Sequence, residues 1–77
     1  MPSTAIRHID WDERSEVLRV TFVSGAVYDY EDVPRAVYDA FRSAPSKGRF
    51  FAYRIRPRYL RFHRVGEGSE PGAAAPP

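Results

Sequence analysis

The amino-acid sequence predicts an α+β domain in which a small antiparallel sheet of about three strands packs against one or two helices. Two patterns support this class. In the first half of the chain, apolar and polar residues alternate over short segments separated by turn residues, which is typical of half-buried strands. In the second half, apolar residues recur at helical spacing after a proline. With 77 residues, 43% of them hydrophobic, the chain has material for one domain, which we place at residues 3–65.

A β-hairpin is predicted at residues 16–31, because one apolar face runs through both of its strands. A two-residue loop at residues 24–25 would place carboxylates on that face, since a shift of one residue exchanges the two sides of a strand. A three-residue loop at residues 23–25 keeps the faces aligned, and Gly25 supplies the left-handed residue that such a loop needs. The predicted pairs are Phe22 with Ala26, Val20 with Tyr28, Leu18 with Tyr30, and Arg19 with Asp29.

A further strand is predicted before the hairpin, at residues 4–11. Ile6 and Ile9 are out of phase for a regular strand, so we expect a bulge or a bend in it. The polar residues 12–15 are expected to form the turn into the hairpin.

The second half of the chain begins with a predicted helix. Asp32 can cap this helix, and Pro34 suits its first turn. The dipeptide Ala44-Pro45 is expected to end it, because a residue before proline disfavours helical angles. Its apolar stripe consists of Val33, Val37 and Phe41, at intervals of four residues.

A second, shorter helix is predicted over residues 47–56, with Ser46 as its cap and with Phe51 and Ile55 buried. Pro57 should end this helix. Beyond it, Tyr59 to Val65 alternate apolar and basic residues, consistent with either a closing strand or an extended tail. Residues 66–77 contain no large apolar side chain and are predicted to be disordered.

These elements carry an ordered set of short motifs. The motifs are Leu18-x-Val20-x-Phe22, Gly25, Tyr28-Asp29-Tyr30, Val33-Pro34, Val37-Tyr38, Ser46-Lys47-Gly48 and Phe50-Phe51. Over about residues 3–64 the chain resembles the KTSC domain, a family with a central Tyr-x-Tyr marker that corresponds here to Tyr28 and Tyr30. The family takes its name from the C-terminus of certain lysyl-tRNA synthetases and includes small stand-alone proteins. The resemblance implies a domain without assigned activity that is suspected of binding RNA. Ala52 stands where the family would have asparagine, so no role of that asparagine carries over.

Catalytic chemistry finds little support in the sequence. Cysteine is absent, which excludes disulfides and thiolate chemistry, and His8 and His63 share no metal-ligand spacing with acidic residues. Ser24 lies in a turn without a nucleophile-elbow motif, and the carboxylates of residues 10–13 belong to an exposed turn. We therefore expect no enzymatic activity, no cofactor and no metal.

Charge is distributed unevenly along the chain. Residues 1–39 contain four arginines and eight carboxylates, whereas residues 40–66 contain eight basic residues and no carboxylate. Such a segment favours an anionic partner. Residues 46–49, Ser-Lys-Gly-Arg, could bind one anion at a helix start, but they lack a nucleotide-binding motif, and a plain capped helix is the favoured interpretation.

Between residues 49 and 64, arginines alternate with aromatic rings, a pattern that can bind phosphates and stack on unpaired bases. Tyr53 is the aromatic residue that we expect to be exposed among the arginines. Tyr28 and Tyr30 are expected in the core, with their hydroxyls near its rim, while Trp11 is a second candidate for base stacking. The candidate nucleic-acid-binding residues are Lys47, Arg49, Tyr53, Arg54, Arg56, Arg58 and Arg61.

Two functions remain open from sequence. The first is a module that binds RNA or another polyanion with little base specificity. The alternative is a protein-interaction module that docks on an acidic partner, which the modest net charge of +2 keeps in consideration. No apolar run is long enough to span a membrane and the opening residues lack the apolar segment of a signal peptide, so we expect a cytoplasmic location.

Overall fold

A computed structural model describes residues 5–66 of the protein. The first half of this range forms three strands: β1 (Ile6–Asp12), β2 (Val17–Phe22) and β3 (Val27–Tyr30). The second half forms helix α1 (Arg35–Ser43), helix α2 (Lys47–Phe50), a π-helical segment (Phe51–Ile55) that continues α2, and strand β4 (Phe62–Gly66). The α+β class predicted from the sequence is confirmed.

Within residues 5–66 the strands form one antiparallel sheet in the order β1-β2-β3-β4. The sheet has one strand more than the three expected, because residues 62–66 pair with β3. Of the two alternatives for this segment, the closing strand is therefore the one that forms. The prediction of disorder over residues 66–77 lies outside the described residues, apart from Gly66, which is the last residue of β4.

The hairpin between β2 and β3 has the predicted three-residue loop. The N–H of Gly25 donates to the carbonyl of Phe22 at 2.8 Å, and the N–H of Phe22 donates to the carbonyl of Ala26 at 2.9 Å. Gly25 has a φ of 100°, in the left-handed region that favours glycine. The pairs are Leu18 with Tyr30, Arg19 with Asp29, and Val20 with Tyr28, which confirms the predicted register.

Strand β1 carries the expected irregularity. Its register against β2 shifts between Ile6 and His8, so the strand has a bulge near its start. The following turn is held by Asp12, whose carboxylate accepts hydrogen bonds from the hydroxyl and the N–H of Ser15. These two hydrogen bonds lower the pKa of Asp12 below its usual value.

The start of α1 differs from the prediction. Asp32 does not cap the helix, because it has a φ of 60°, whereas a capping residue has extended backbone angles. The N-cap is Pro34, which has extended angles and no side chain that could accept a hydrogen bond. The helix ends at Ser43 with Ala44 as its C-cap, as expected before Pro45.

The prediction of a second helix is confirmed for its N-cap, Ser46, and for its buried residues, Phe51 and Ile55. The hydroxyl of Ser46 accepts a hydrogen bond from the N–H of Arg49 at 3.3 Å. Beyond α2 the N–H of Arg56 donates to the carbonyl of Phe51 at 2.9 Å, five residues back, which defines the π-helical turn. The core comprises Leu18, Val20, Phe22, Ala26, Tyr30, Val33, Phe41, Phe51 and Ile55.

The helices cover one face of the sheet. Leu18 and Val20 point to that face and are fully buried, whereas their neighbour Arg19 points to the other face, which carries charged side chains. Between residues 5 and 66, no helix has the length and apolar character needed to cross a membrane.

Candidate nucleic-acid interface

Two adjacent phenylalanines orient the basic half of the chain. Phe50 stacks on Phe41 of α1, with ring centroids 5.1 Å apart and 15° between the ring planes. Phe51 points into the core, where its ring meets those of Phe22 and Tyr30 at 5.3 and 5.5 Å in edge-to-face geometry. Because Phe50 and Phe51 face different partners, the arginines that pack on them lie on different sides of the π-helical segment.

Four of the predicted residues lie together where α1 meets α2 and the π-helical segment. We call this region the interhelix surface; it contains Arg49, Tyr53, Arg54 and Arg58. The guanidinium of Arg54 lies 5.2 Å from the centre of the Phe50 ring, in a cation–π contact. Tyr53 is 72% exposed, as the helical pattern predicted for it. The region thus presents an exposed ring among three exposed guanidinium groups.

The interhelix surface is continuous, because two neighbouring depressions share lining residues. It includes two depressions of about 430 and 260 Å³, and Phe50 and Arg54 line both of them. None of the described residues that line either depression is acidic, so no carboxylate there offsets the positive charge. The larger is lined by Ala44, Pro45, Ser46, Arg49, Phe50, Tyr53 and Arg54, and the smaller by Ala36, Val37, Ala40, Phe50, Arg54, Arg58 and Tyr59.

The other three predicted residues have different surroundings. The ammonium group of Lys47 donates to the carbonyl of Ala44 at 3.1 Å and so binds the end of α1. The guanidinium of Arg56 lies 5.6 Å from the centre of the Phe51 ring, on the side of the segment that faces the sheet. Neither of these cations lines the two depressions.

Arg61 does not join the interhelix surface. Its guanidinium lies 3.3 Å from the carboxylate of Asp32 and 3.6 Å from that of Glu31. Asp32, which was expected to cap α1, therefore acts as a partner of Arg61 instead. Among the candidate arginines, Arg49, Arg54 and Arg58 therefore lie together, whereas Arg56 and Arg61 lie elsewhere.

Of the two tyrosines of the family marker, Tyr30 belongs to the core and Tyr28 packs against it. Tyr30 is buried, and burial raises the pKa of its hydroxyl to about 12, although the nearby charge of Arg56 acts in the opposite direction. Tyr28 is half-buried. Sequence reasoning did not single out Phe62, whose ring lies 5.1 Å from that of Tyr30 and 6.1 Å from that of Tyr28. Its alternation with Arg61 was visible in the sequence, but its pairing with β3 was not.

Trp11 is not an open stacking platform. Its ring already stacks on Tyr38 of α1, with centroids 5.6 Å apart and 15° between the planes. Its indole N–H donates to the carbonyl of Val33 at 2.8 Å. Through these two contacts Trp11 joins strand β1 to α1 and to the residues just before it.

The uncovered face of the sheet carries a row of charged residues across all four strands. In register these are Asp10, Arg19, Asp29 and His63. Arg19 donates from Nε and from one terminal nitrogen to the two oxygens of Asp29, at 2.8 and 3.0 Å. These hydrogen bonds and the charge of Asp29 raise the pKa of Arg19 above its usual value. In residues 5–66 no three His, Cys, Asp or Glu side chains are grouped so that they could hold a metal ion.

The fold and the interhelix surface define a class: a small α+β domain with a four-stranded antiparallel sheet and a basic, partly aromatic surface on its helical side. The family model of the KTSC domain matches residues 2–59. The chain therefore belongs to the KTSC domain family, as its motifs indicated. Phe62 lies just beyond the matched residues.

Related proteins agree with this assignment. A crystal structure of a KTSC domain protein from Yersinia pestis superposes with a TM-score of 0.75 at 32% identity, covering 86% of this chain and 94% of that one. An uncharacterized protein of Stutzerimonas stutzeri is 37% identical over 65 residues, which are 84% of this chain and 92% of the relative. A lysine–tRNA ligase of Nostoc punctiforme is 32% identical over 56 residues, 73% of this chain and only 10% of the ligase.

Proposed function

We propose that this KTSC domain is a binding module without catalytic activity of its own, and that it binds single-stranded RNA at the interhelix surface. The observation that carries the proposal is the exposed ring of Tyr53 beside Arg49 and Arg54 in one depression, with Arg58 in the adjoining depression and no acidic residue lining either. Guanidinium groups bind phosphate oxygens through paired N–H donors, and an exposed ring stacks on an unpaired base.

Two further observations support an RNA ligand. The larger depression is open to solvent and adjoins the smaller one at Phe50 and Arg54, which suits an extended strand better than a small enclosed molecule. A related segment also occurs in a lysine–tRNA ligase, an enzyme whose name states a tRNA substrate.

The number of arginines sets the expected salt dependence. If three guanidinium groups each neutralise one phosphate of a single strand, log K should fall with log salt at a slope of about −2. Between 50 and 200 mM salt, the affinity should therefore decrease by about twentyfold. The measurement is fluorescence anisotropy with a labelled twelve-nucleotide oligouridylate.

Two triple variants separate a local site from general charge. Arg49→Ala, Arg54→Ala and Arg58→Ala together should remove most of the slope, because they remove the proposed phosphate contacts. Arg7→Ala, Arg14→Ala and Arg35→Ala change the net charge equally at exposed positions elsewhere, and should leave most of the slope. Equal losses in the two variants would show that binding follows net charge alone, and would refute an interhelix site.

The aromatic contact is tested by Tyr53→Ala, which should weaken binding by at least fivefold at constant salt if one base stacks on the ring. Tyr53→Phe should retain most of the affinity because it keeps the ring. No detectable RNA binding by the wild-type protein at 50 mM salt would refute the proposal. Binding of poly-glutamate under the same conditions would then favour the alternative of an acidic protein partner.

A further inference from the structure

Phe62 has the features of a second base-stacking residue on the other side of the π-helical segment. It lies in the outer strand β4 and is 47% exposed, whereas Phe22 and Phe51, which belong to the same aromatic cluster, are buried. Its inner side packs against the rings of Tyr30 and Tyr28. A ring that is backed by packed neighbours and open on its other side is held in place before any ligand arrives, which lowers the entropy lost on binding.

Charge on this side of the sheet is favourable for a nucleotide. Phe62 pairs with Tyr30, so its side chain points to the same face as that tyrosine. The exposed guanidinium of Arg56 lies over the Phe51 ring and close enough to Tyr30 to affect its hydroxyl. Alternation along β3 places the carboxylate of Asp29 on the opposite face, away from the Phe62 ring, and the carboxylate of Glu31 lies 3.9 Å from His63, the partner of Asp29 on that face.

We propose that Phe62 and Arg56 form a second nucleotide subsite, in which an unpaired base stacks on the exposed face of Phe62 and Arg56 binds the adjacent phosphate. This inference rests on the proposed RNA-binding function and extends its footprint. Tyr53 lies in the π-helical segment and Arg56 directly follows its last residue, so a strand that crosses the outside of this segment would pass from the interhelix surface to Phe62. The module then holds two bases of one strand, at Tyr53 and at Phe62.

The test uses the full chain and the same twelve-nucleotide oligouridylate. Phe62→Leu keeps an apolar side chain against the two tyrosines but removes the ring, and should weaken binding by about fivefold or more. Phe62→Tyr keeps the ring and should bind within twofold of the wild type. The matched control is Leu60→Ala, because Leu60 is an aliphatic residue two positions before Phe62 and is 72% exposed. This substitution should leave the affinity unchanged.

Two further measurements connect the effect to a base. A strand of equal length without bases should bind the wild type and Phe62→Leu equally. In the double variant Tyr53→Ala with Phe62→Leu, the two losses should multiply, because two separate bases would be involved. Circular dichroism of each variant establishes that the fold is retained.

The outcomes distinguish the two proposals. If the wild type does not bind the probe, the proposed function itself is wrong. If the wild type binds and depends on Tyr53 while Phe62→Leu binds as tightly as the wild type, the second subsite alone is refuted. Equal losses of affinity for Phe62→Leu and Leu60→Ala would also refute the second subsite. So would a loss for Phe62→Leu on the strand without bases that is as large as its loss on the oligouridylate.

Discussion

The ion pair between Arg19 and Asp29 gives an asymmetric prediction for stability. The carboxylate of Asp29 is only 11% exposed and accepts both hydrogen bonds of the pair, whereas the guanidinium of Arg19 is 51% exposed. Removing one partner therefore has a different consequence from removing the other. Arg19→Met leaves a nearly buried carboxylate without this partner, while Asp29→Asn leaves a guanidinium that water can solvate.

The magnitudes follow from this difference in exposure. Breaking a fully buried pair costs about 3–5 kcal/mol and breaking an exposed pair less than about 1 kcal/mol. Arg19→Met lies between these limits, at about 2 kcal/mol, which for a domain of this size lowers Tm by about 8–16 °C. Asp29→Asn should cost about 1 kcal/mol, or about 4–8 °C. The double variant buries no charge and should be more stable than Arg19→Met alone.

Thermal unfolding followed by circular dichroism at constant pH and salt measures all four proteins and completes the double-mutant cycle. Urea unfolding provides the same comparison in free energy. Greater destabilisation by Asp29→Asn than by Arg19→Met would contradict the difference in exposure as the cause. Additive effects of the two single substitutions in the double variant would show that the pair contributes no coupling.

Two further predictions concern aromatic residues of the core and its edge. Trp11→Phe keeps the stack on Tyr38 but loses the hydrogen bond to the carbonyl of Val33, so it should lower the free energy of unfolding in urea by about 1–2 kcal/mol. Trp11→Leu also loses the stack and should lower the free energy of unfolding further. Equal decreases for the two variants would show that the stack contributes nothing. The pKa of Tyr30 is about 12 in the folded protein and about 10 in an unfolded chain, so the folded state favours the protonated hydroxyl. The stability from this group is complete below pH 10 and is lost between pH 10 and 12, by about 1–2 kcal/mol after allowance for solvent screening. Over that range Tyr30→Phe should lose less stability than the wild type in urea unfolding, and parallel pH profiles would contradict the assignment.

The sequence was sufficient for the elements whose geometry depends on local pattern. The hairpin register followed from the alternation of apolar residues and from Gly25, because only one loop length keeps both apolar faces on the same side. The bulge in β1, the cap at Ser46 and the burial of Phe51 followed from the same kind of local argument. The exposure of Tyr53 was predicted by helical spacing alone.

Contacts between distant segments could not be predicted in this way. Asp32 has the chemistry of a helix cap, but its backbone angles and the position of Arg61 give it a different role. Trp11 has a large ring with an N–H donor, and only the packing of α1 beside β1 supplies both of its partners. The pairing of β4 with β3, which brings Phe62 to the tyrosines, depends on a connection across the whole helical layer.

The sequence by itself determined the α+β class, the hairpin register and the segment that carries positive charge, because periodicity and composition are properties of neighbouring residues. Its ordered motifs carried the resemblance to the KTSC family. Only the tertiary structure decided which arginines act together. Arg49, Arg54 and Arg58 meet at the junction of the helices, while Arg56 lies over the Phe51 ring and Arg61 pairs with the carboxylates of Glu31 and Asp32. The side on which a charge lies is set by the packing of Phe50 and Phe51 against different elements, because adjacent side chains of a helix point about 100° apart.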